Sequence, residues 1–163
     1  MIVPKTFQHP LFFATDTVDI ETLQPFPMMM KHVPFYYDIT NEEKPWQQKE
    51  RALPAVFQLW DEEKRELAPL FAKRQAKQAK DGIIRGISYF LCALYWLNER
   101  PIGNICCWEE EVQSLSLRPL NVIDRLSFIF ARPALHHSFV QLDELFIELA
   151  KLFYKQMVQQ KRD

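Results

Sequence analysis

Glycine is scarce in this chain, with only Gly82, Gly86 and Gly103 among 163 residues. β-Hairpins and phosphate-cradling loops draw on glycine for positive φ, so the scarcity favours helices. It also excludes a Walker-type loop and a Rossmann fingerprint, because no two glycines have the required spacing and flanks. Cysteine is scarce too. Cys92, Cys106 and Cys107 are odd in number, and an adjacent pair is a poor disulfide framework, which fits a reducing compartment. An excess of one charge sign is also missing: Lys and Arg total 20 against 21 Asp and Glu, a net charge of −1. Nothing global therefore pulls the chain toward nucleic acid or acidic lipid. No apolar run approaches the roughly 20 residues of a bilayer span. The opening MIVPKTFQHPLFF has no secretory-signal pattern, and no lipidation motif is present. A cytoplasmic location without membrane insertion is expected.

What is present is apolar bulk, 48% of residues, with 13% aromatic, enough to fill a core. The densest stretch is Gly82–Asn98, GIIRGISYFLCALYWLN, whose part from Tyr89 to Leu97 carries no charge. At helical spacing Ile83, Ile87, Phe90, Leu94 and Leu97 form one stripe, and Ile84, Leu91 and Tyr95 form another beside it. Two adjoining stripes leave little face for water and predict a helix buried on all sides. Arg85 interrupts one end, while Asn98, Glu99 and Arg100 close the other.

Residues 1–40 have a different texture. Pro4, Pro10, Pro25, Pro27 and Pro34 alternate with Phe7, Phe12, Phe13, Phe26, Phe35, Tyr36 and Tyr37. Proline at this density forbids a long helix, yet the aromatics are costly in water, which predicts an extended arm wrapped on a helical body. A short helix is expected near Asp19–Gln24, and Met28, Met29 and Met30 are expected to fill gaps. Thr40-Asn-Glu-Glu43 reads as a capping box that starts a helix toward Ala52. Pro54 is expected to interrupt that helix. Asp61–Lys80 then reads as a polar helix, acids early and bases late, kinked or restarted at Pro69. A shorter helix is expected around Trp108 and Val112, another behind Asn121 as cap, and a last one opened by a Ser138/Gln141 capping box. The fold expected is all-α: a single-domain bundle of about five to seven helices with an extended N-terminal arm. Its divisions are 1–40 for the arm, 41–158 for the helical domain and 159–163 for a frayed tail.

The segments YWLNERPIGN, Tyr95–Asn104, and RPLNVIDRLSFIFARPALHHSFVQLDELFIELAKL, Arg118–Leu152, resemble the YpoC-like proteins of Gram-positive bacteria. The resemblance implies a small helical cytoplasmic protein and supplies no catalytic residues. Genes of that family stand near those for a DNA glycosylase of the endonuclease III type and for cell-wall synthesis, which implies a link to DNA maintenance or envelope growth.

Chemistry-bearing constellations are few. Cys106-Cys107 and His136-His137 offer zinc-type donors, but adjacent residues point in divergent directions and structural zinc sites favour spaced ligands. Lys73, Arg74, Lys77, Lys80 and Arg85 form a basic stretch that suggests phosphate contacts. No aromatic lies among them in sequence to stack on bases, and a solvated helix face accounts for them equally. Glu109, Glu110 and Glu111 fan around a helix axis. Ser138 beside His137 lacks a third group to orient it. His136, His137, Ser138 and Gln141 are the surface expected to meet a partner. Gly82 and Gly86 lie one helical turn apart and admit a close helix neighbour. Trp46, Trp60, Trp96 and Trp108 are expected mostly in the core. The functional expectation is a protein-interaction or accessory factor with an unidentified protein partner and no cofactor. A nucleic-acid-associated protein using residues 73–85 is the alternative, and a small enzyme or metal protein the third. Oligomeric state stays open.

Overall fold

The computed structural model describes residues 1–162 and is all-α, with no strand among them. In chain order the helices are α1 (Met29–His32), α2 (Tyr36–Thr40), α3 (Lys49–Ala72), α4 (Ala76–Leu97), α5 (Trp108–Gln113), α6 (Val122–Ala131) and α7 (His136–Arg162). Single 3₁₀ turns lie at Lys5–Phe7, Pro45–Gln47 and Ile105–Cys107. No helix among the described residues is long and apolar enough to cross a membrane. Asp163, the end of the expected frayed tail, lies outside the described residues.

α4 is the axis of the bundle. Every residue from Gly86 to Leu97 is buried, as the paired apolar stripes require. α3 and α7 close around it. The approach is tight where Gly82 and Gly86 face their neighbours. A Cβ on Gly82 would sit 2.6 Å from Leu67 Cδ2 of α3, and one on Gly86 would sit 2.4 Å from Trp60 Cζ3 and 2.9 Å from Leu142 Cδ2 of α7. The missing side chains let the indole of Trp60 lie directly on the α4 backbone. That indole also stacks on Phe146 at 4.9 Å between centroids and donates through Nε1 to Asp143 Oδ1 at 3.1 Å. Phe90 meets the other side of the arrangement, edge-on to Phe146 at 5.3 Å. Burial of each such aromatic or branched side chain contributes about 1.5–3 kcal/mol, so this column is a main source of cohesion. All four tryptophans are buried.

Several local expectations are corrected. The Thr40 capping box does not form. Thr40 ends α2 instead, its hydroxyl donating to the Tyr36 carbonyl at 2.8 Å, and Asn41 follows in the left-handed region at φ 62°. Pro54 does not interrupt a helix; Pro54 and Pro69 both lie inside α3. Each proline removes one backbone bond at a cost near 3 kcal/mol. Ala52, Leu53, Val56, Leu59, Trp60 and Leu67 of α3 are all buried, and that continuous apolar face offsets the loss. The expected polar helix to Lys80 is broken at residues 73–75, where Arg74 takes φ 58° and the chain reverses into α4. Residues 19–24 form no helix. Asn121 does precede α6, but it sits at φ 57° and its side chain caps nothing. The last helix starts at His136, so Ser138 lies inside it.

Residues 1–40 pack on the helices through their aromatics and are shaped by more than extended chain, since they contain α1 and α2. Phe7, Phe13, Phe35, Tyr36 and Tyr37 are buried with Met29 and Met30. Phe12 meets Phe130 of α6 edge-on at 5.7 Å, and Phe26 lies 6.4 Å from Trp96 of α4. A polar bond fastens the same contact. Asp38 of α2 is buried and accepts from Trp96 Nε1 at 3.0 Å, the Ile102 backbone N–H at 2.8 Å and the Cys92 thiol at 3.4 Å.

Candidate functional site

Breaking the chain at residues 73–75 decides where the basic stretch goes. Lys73 and Arg74 occupy the α3–α4 turn, and Lys77 and Lys80 stand on the first turns of α4. All four are exposed, and among the described residues none has a carboxylate within 4.0 Å. The macrodipole account fails for the last two, because Lys77 and Lys80 sit near the positive end of α4 and gain nothing from it. Arg85 is different. Its Nε and Nη2 grip Glu63 of α3 at 3.0 and 2.7 Å, a bidentate pair that also raises its pKa. Arg85 therefore bridges α3 to α4 and leaves the basic group.

The start of α7 lies at the same end of the bundle, because α7 runs alongside α3 with Phe71 against His136. Their rings are 5.1 Å apart, and Phe139 completes a three-ring group at 5.3 Å from Phe71 and 6.1 Å from His136. His137 leaves the helix on the other side, edge-on to Phe128 of α6 at 5.3 Å. The Arg132 guanidinium lies 4.7 Å above that same Phe128 ring. Both imidazoles are exposed, so neither is packed away as a core residue. A cavity of about 350 Å³ opens below His137, lined also by Asn121, Asp124, Arg125, Phe128 and Gln141.

Ser138 and Gln141 are spoken for inside the fold. Ser138 is fully buried and its hydroxyl donates to the Arg132 carbonyl at 2.6 Å, tying α7 to the end of α6. The Gln141 amide oxygen accepts from Arg125 Nε at 3.3 Å, and Arg125 also reaches Glu148 and the Leu120 carbonyl. Of the four expected partner-facing residues, the two histidines present themselves to solvent and Ser138 does not.

The cysteine pair belongs to the 3₁₀ turn before α5, where the Asn104 side-chain oxygen accepts from both backbone amides at 2.9 and 3.3 Å. Cys106 is exposed, and burial together with the Glu111 and Glu110 carboxylates pushes the Cys107 thiol up. A raised thiol is a poor nucleophile at neutral pH. Cysteines and histidines do not assemble into a metal site. Among the described residues no three His, Cys, Asp or Glu side chains are placed to hold an ion.

With this architecture in place, the comparison with known families is specific. The family model described as YpoC-like protein matches residues 50–161, from the second residue of α3 to the last turn of α7. The chain belongs to the YpoC-like family. The match thus covers the α3–α4 hairpin as well as the C-terminal segments that carry the resemblance. A curated bacterial relative, the protein of Bacillus subtilis (strain 168) named "Uncharacterized protein YpoC", is 33% identical over 125 residues. That alignment covers 75% of this chain and 76% of the relative. No solved structure matches the chain.

Sequence reasoning passed over two features. The first is Asp38, whose carboxyl is pushed up to about 6 because burial outweighs its three donors. Its only signal is an acid flanked by aromatic and aliphatic residues in FYYDI. The second is the outer face of α7. Ile147, Tyr154 and Val158 are 47%, 53% and 51% exposed, on a helix whose opposite face is core. The helical spacing of 147, 154 and 158 puts them on one side, a second apolar stripe hidden beside the stronger one.

Proposed function

We propose that the protein is a protein-interaction module whose contact face is the outer side of α7, with a second copy of the chain as its occupant. The observation that carries this reading is the exposed stripe of Ile147, Tyr154 and Val158. Isolated apolar residues on a surface need no explanation, but three in register along one helix do. A cavity of about 250 Å³ adjoins them between α3 and α7, lined by the apolar Phe57, Phe146 and Tyr154 and by the charged Asp61, Lys64 and Asp143. A side chain of the second copy is expected to enter it.

Charge order argues for self-pairing. Glu144 and Glu148, which also lie against Arg125 of their own chain, precede the middle of α7, whereas Lys151, Lys155, Lys161 and Arg162 follow it. A helix laid antiparallel must carry the reverse order, and a second α7 related by a two-fold axis carries it by symmetry. At about 1.5 Å per residue, α7 is about 40 Å long, ample for such a seam. Sedimentation equilibrium of the full chain tests the reading. The expected result is a dimer that Ile147→Glu with Tyr154→Glu converts to monomer without loss of helicity. A monomer at every concentration would refute it.

The link to DNA maintenance or envelope growth that the family's gene neighbourhood implies contributes no residue to this face. The enzyme and metal readings gain no specific observation. The nucleic-acid reading has an observation of its own, at the opposite end of the helix.

A further inference from the structure

From the basic end of the bundle we infer a binding surface for single-stranded nucleic acid, distinct from the outer face of α7. Three independent features meet there. The first is positive charge gathered in one place: Lys73, Arg74, Lys77 and Lys80 are exposed, lack carboxylate partners and fall within eight residues on one turn and the helix start it feeds. In a chain of net charge −1, four bases left unpaired on one turn and the adjoining helix start make a local positive patch. The second is the start of α4, whose N-cap Gln75 contributes no side-chain bond to the first amides. Those amides and the positive end of the helix add phosphate-directed donors among the four bases.

The third feature is aromatic, and it is what favours a single strand. In sequence no ring stands among these bases. In the fold, α7 brings one to them: His136 is exposed beside Phe71 at 5.1 Å and Phe139 at 6.1 Å, and Phe71 precedes Lys73 by two residues. Two rings stand against one side of the imidazole and leave its other side to solvent, where a base can stack. Sequence-tolerant stacking on such a ring beside a cationic track is how single strands are held. Duplex grooves are read by a protruding helix or ribbon, and here the bases crown a turn and helix ends. A membrane surface would call for several apolar wedges, and Leu135 is the exposed one nearby in the chain.

Fluorescence anisotropy of a labelled oligothymidylate with the full chain tests the inference. Four phosphate contacts on a single strand predict that affinity falls about 50-fold between about 50 and 200 mM salt. Reversing the four bases together (Lys73→Glu, Arg74→Glu, Lys77→Glu, Lys80→Glu) is expected to abolish binding. His136→Ala, which leaves the charge in place, is expected to weaken single-strand binding about 5-fold or more. Circular dichroism checks that both variants stay folded, and all five positions are exposed. Dimer-blocking changes at Ile147 and Tyr154 are expected to leave affinity per chain intact, which separates this surface from the α7 face. Absence of binding at low salt would overturn the inference, as would binding indifferent to the charge reversal. So would tighter binding to a duplex of the same length, or capture by phosphatidylglycerol vesicles or a poly-glutamate peptide without capture of the oligonucleotide.

Discussion

Replacing Asp38 by Asn should stabilise the protein at neutral pH and do nothing at pH 4. The Asp38 carboxyl is buried, and that burial raises its pKa from 3.8 to about 6 despite three hydrogen bonds to it. A carboxyl raised in the folded state keeps its proton there after the unfolded chain has lost it. Stability is therefore fullest below about 4, falls as pH rises through the window from about 4 to 6, and stays reduced above it. At about 1.36 kcal/mol for each pH unit, the gap costs about 3 kcal/mol at pH 7. An Asn side chain keeps the oxygen that accepts from Trp96 Nε1 and the Ile102 amide, and turns its NH₂ toward the Cys92 sulfur. It has no charge to bury. Urea unfolding followed by tryptophan fluorescence at a series of pH values from 4 to 8 gives the difference between the two proteins. Every other titrating group cancels in that difference. The expected curve is flat and near zero at pH 4, rises through the window and levels at up to about 3 kcal/mol in favour of the variant. Asp38→Ala is the control. It leaves both N–H donors buried without an acceptor and should destabilise by about 3–5 kcal/mol. A difference between the parent protein and its Asp38→Asn variant that does not change with pH would refute the reasoning, because the carboxyl would then titrate alike folded and unfolded.

Gly86→Ala should cost about 1–3 kcal/mol in thermal or urea unfolding, because its Cβ meets the Trp60 ring at 2.4 Å and α3 cannot retreat without unstacking Trp60 from Phe146. Glu43→Ala should cost no more than about 1 kcal/mol in urea unfolding, since the capping box does not form and the Glu43 carboxylate makes only an exposed ion pair with Arg51 at 3.5 Å; a loss well above that would show that the side chain holds the fold in another way. Alkylation followed by mass spectrometry should label Cys106 first and Cys107 more slowly. Cys92 should react only on unfolding, its thiol buried and held well above the ordinary range by burial and the Asp38 carboxylate.

Helix content and the central role of α4 were legible because burial on all sides needs an unbroken apolar run, and Tyr89–Leu97 is one. The inner face of α7 was legible for the same reason in amphipathic form, through Leu142, Leu145, Phe146, Leu149, Leu152 and Phe153, of which Leu152 alone is only half-buried. The glycine pair announced a close helix contact but not its partner, which is Trp60 in one case and Leu67 in the other. Capping boxes misled because the motif is short and weak. The Thr40 hydroxyl has a carbonyl one turn behind it and the Ser138 hydroxyl has the carbonyl of Arg132, and each takes the nearer acceptor. Prolines misled in α3 because their local cost is offset by a packed face that no local window contains.

The candidate surfaces divide the same way. Apolar periodicity, scarce glycine and the aromatic N-terminal segment are properties of neighbouring residues, and they determine an α-helical body with one buried axis. What lies at the end of that body is a different matter. Lys73–Lys80 reads as an ordinary solvated helix face until Arg74 reverses the chain, and His136 reads as the start of a helix until α7 sets it on Phe71. Their meeting depends on contacts between residues more than sixty positions apart, and such contacts are decided by how α3, α4 and α7 pack, through the free energy of burying whole faces together.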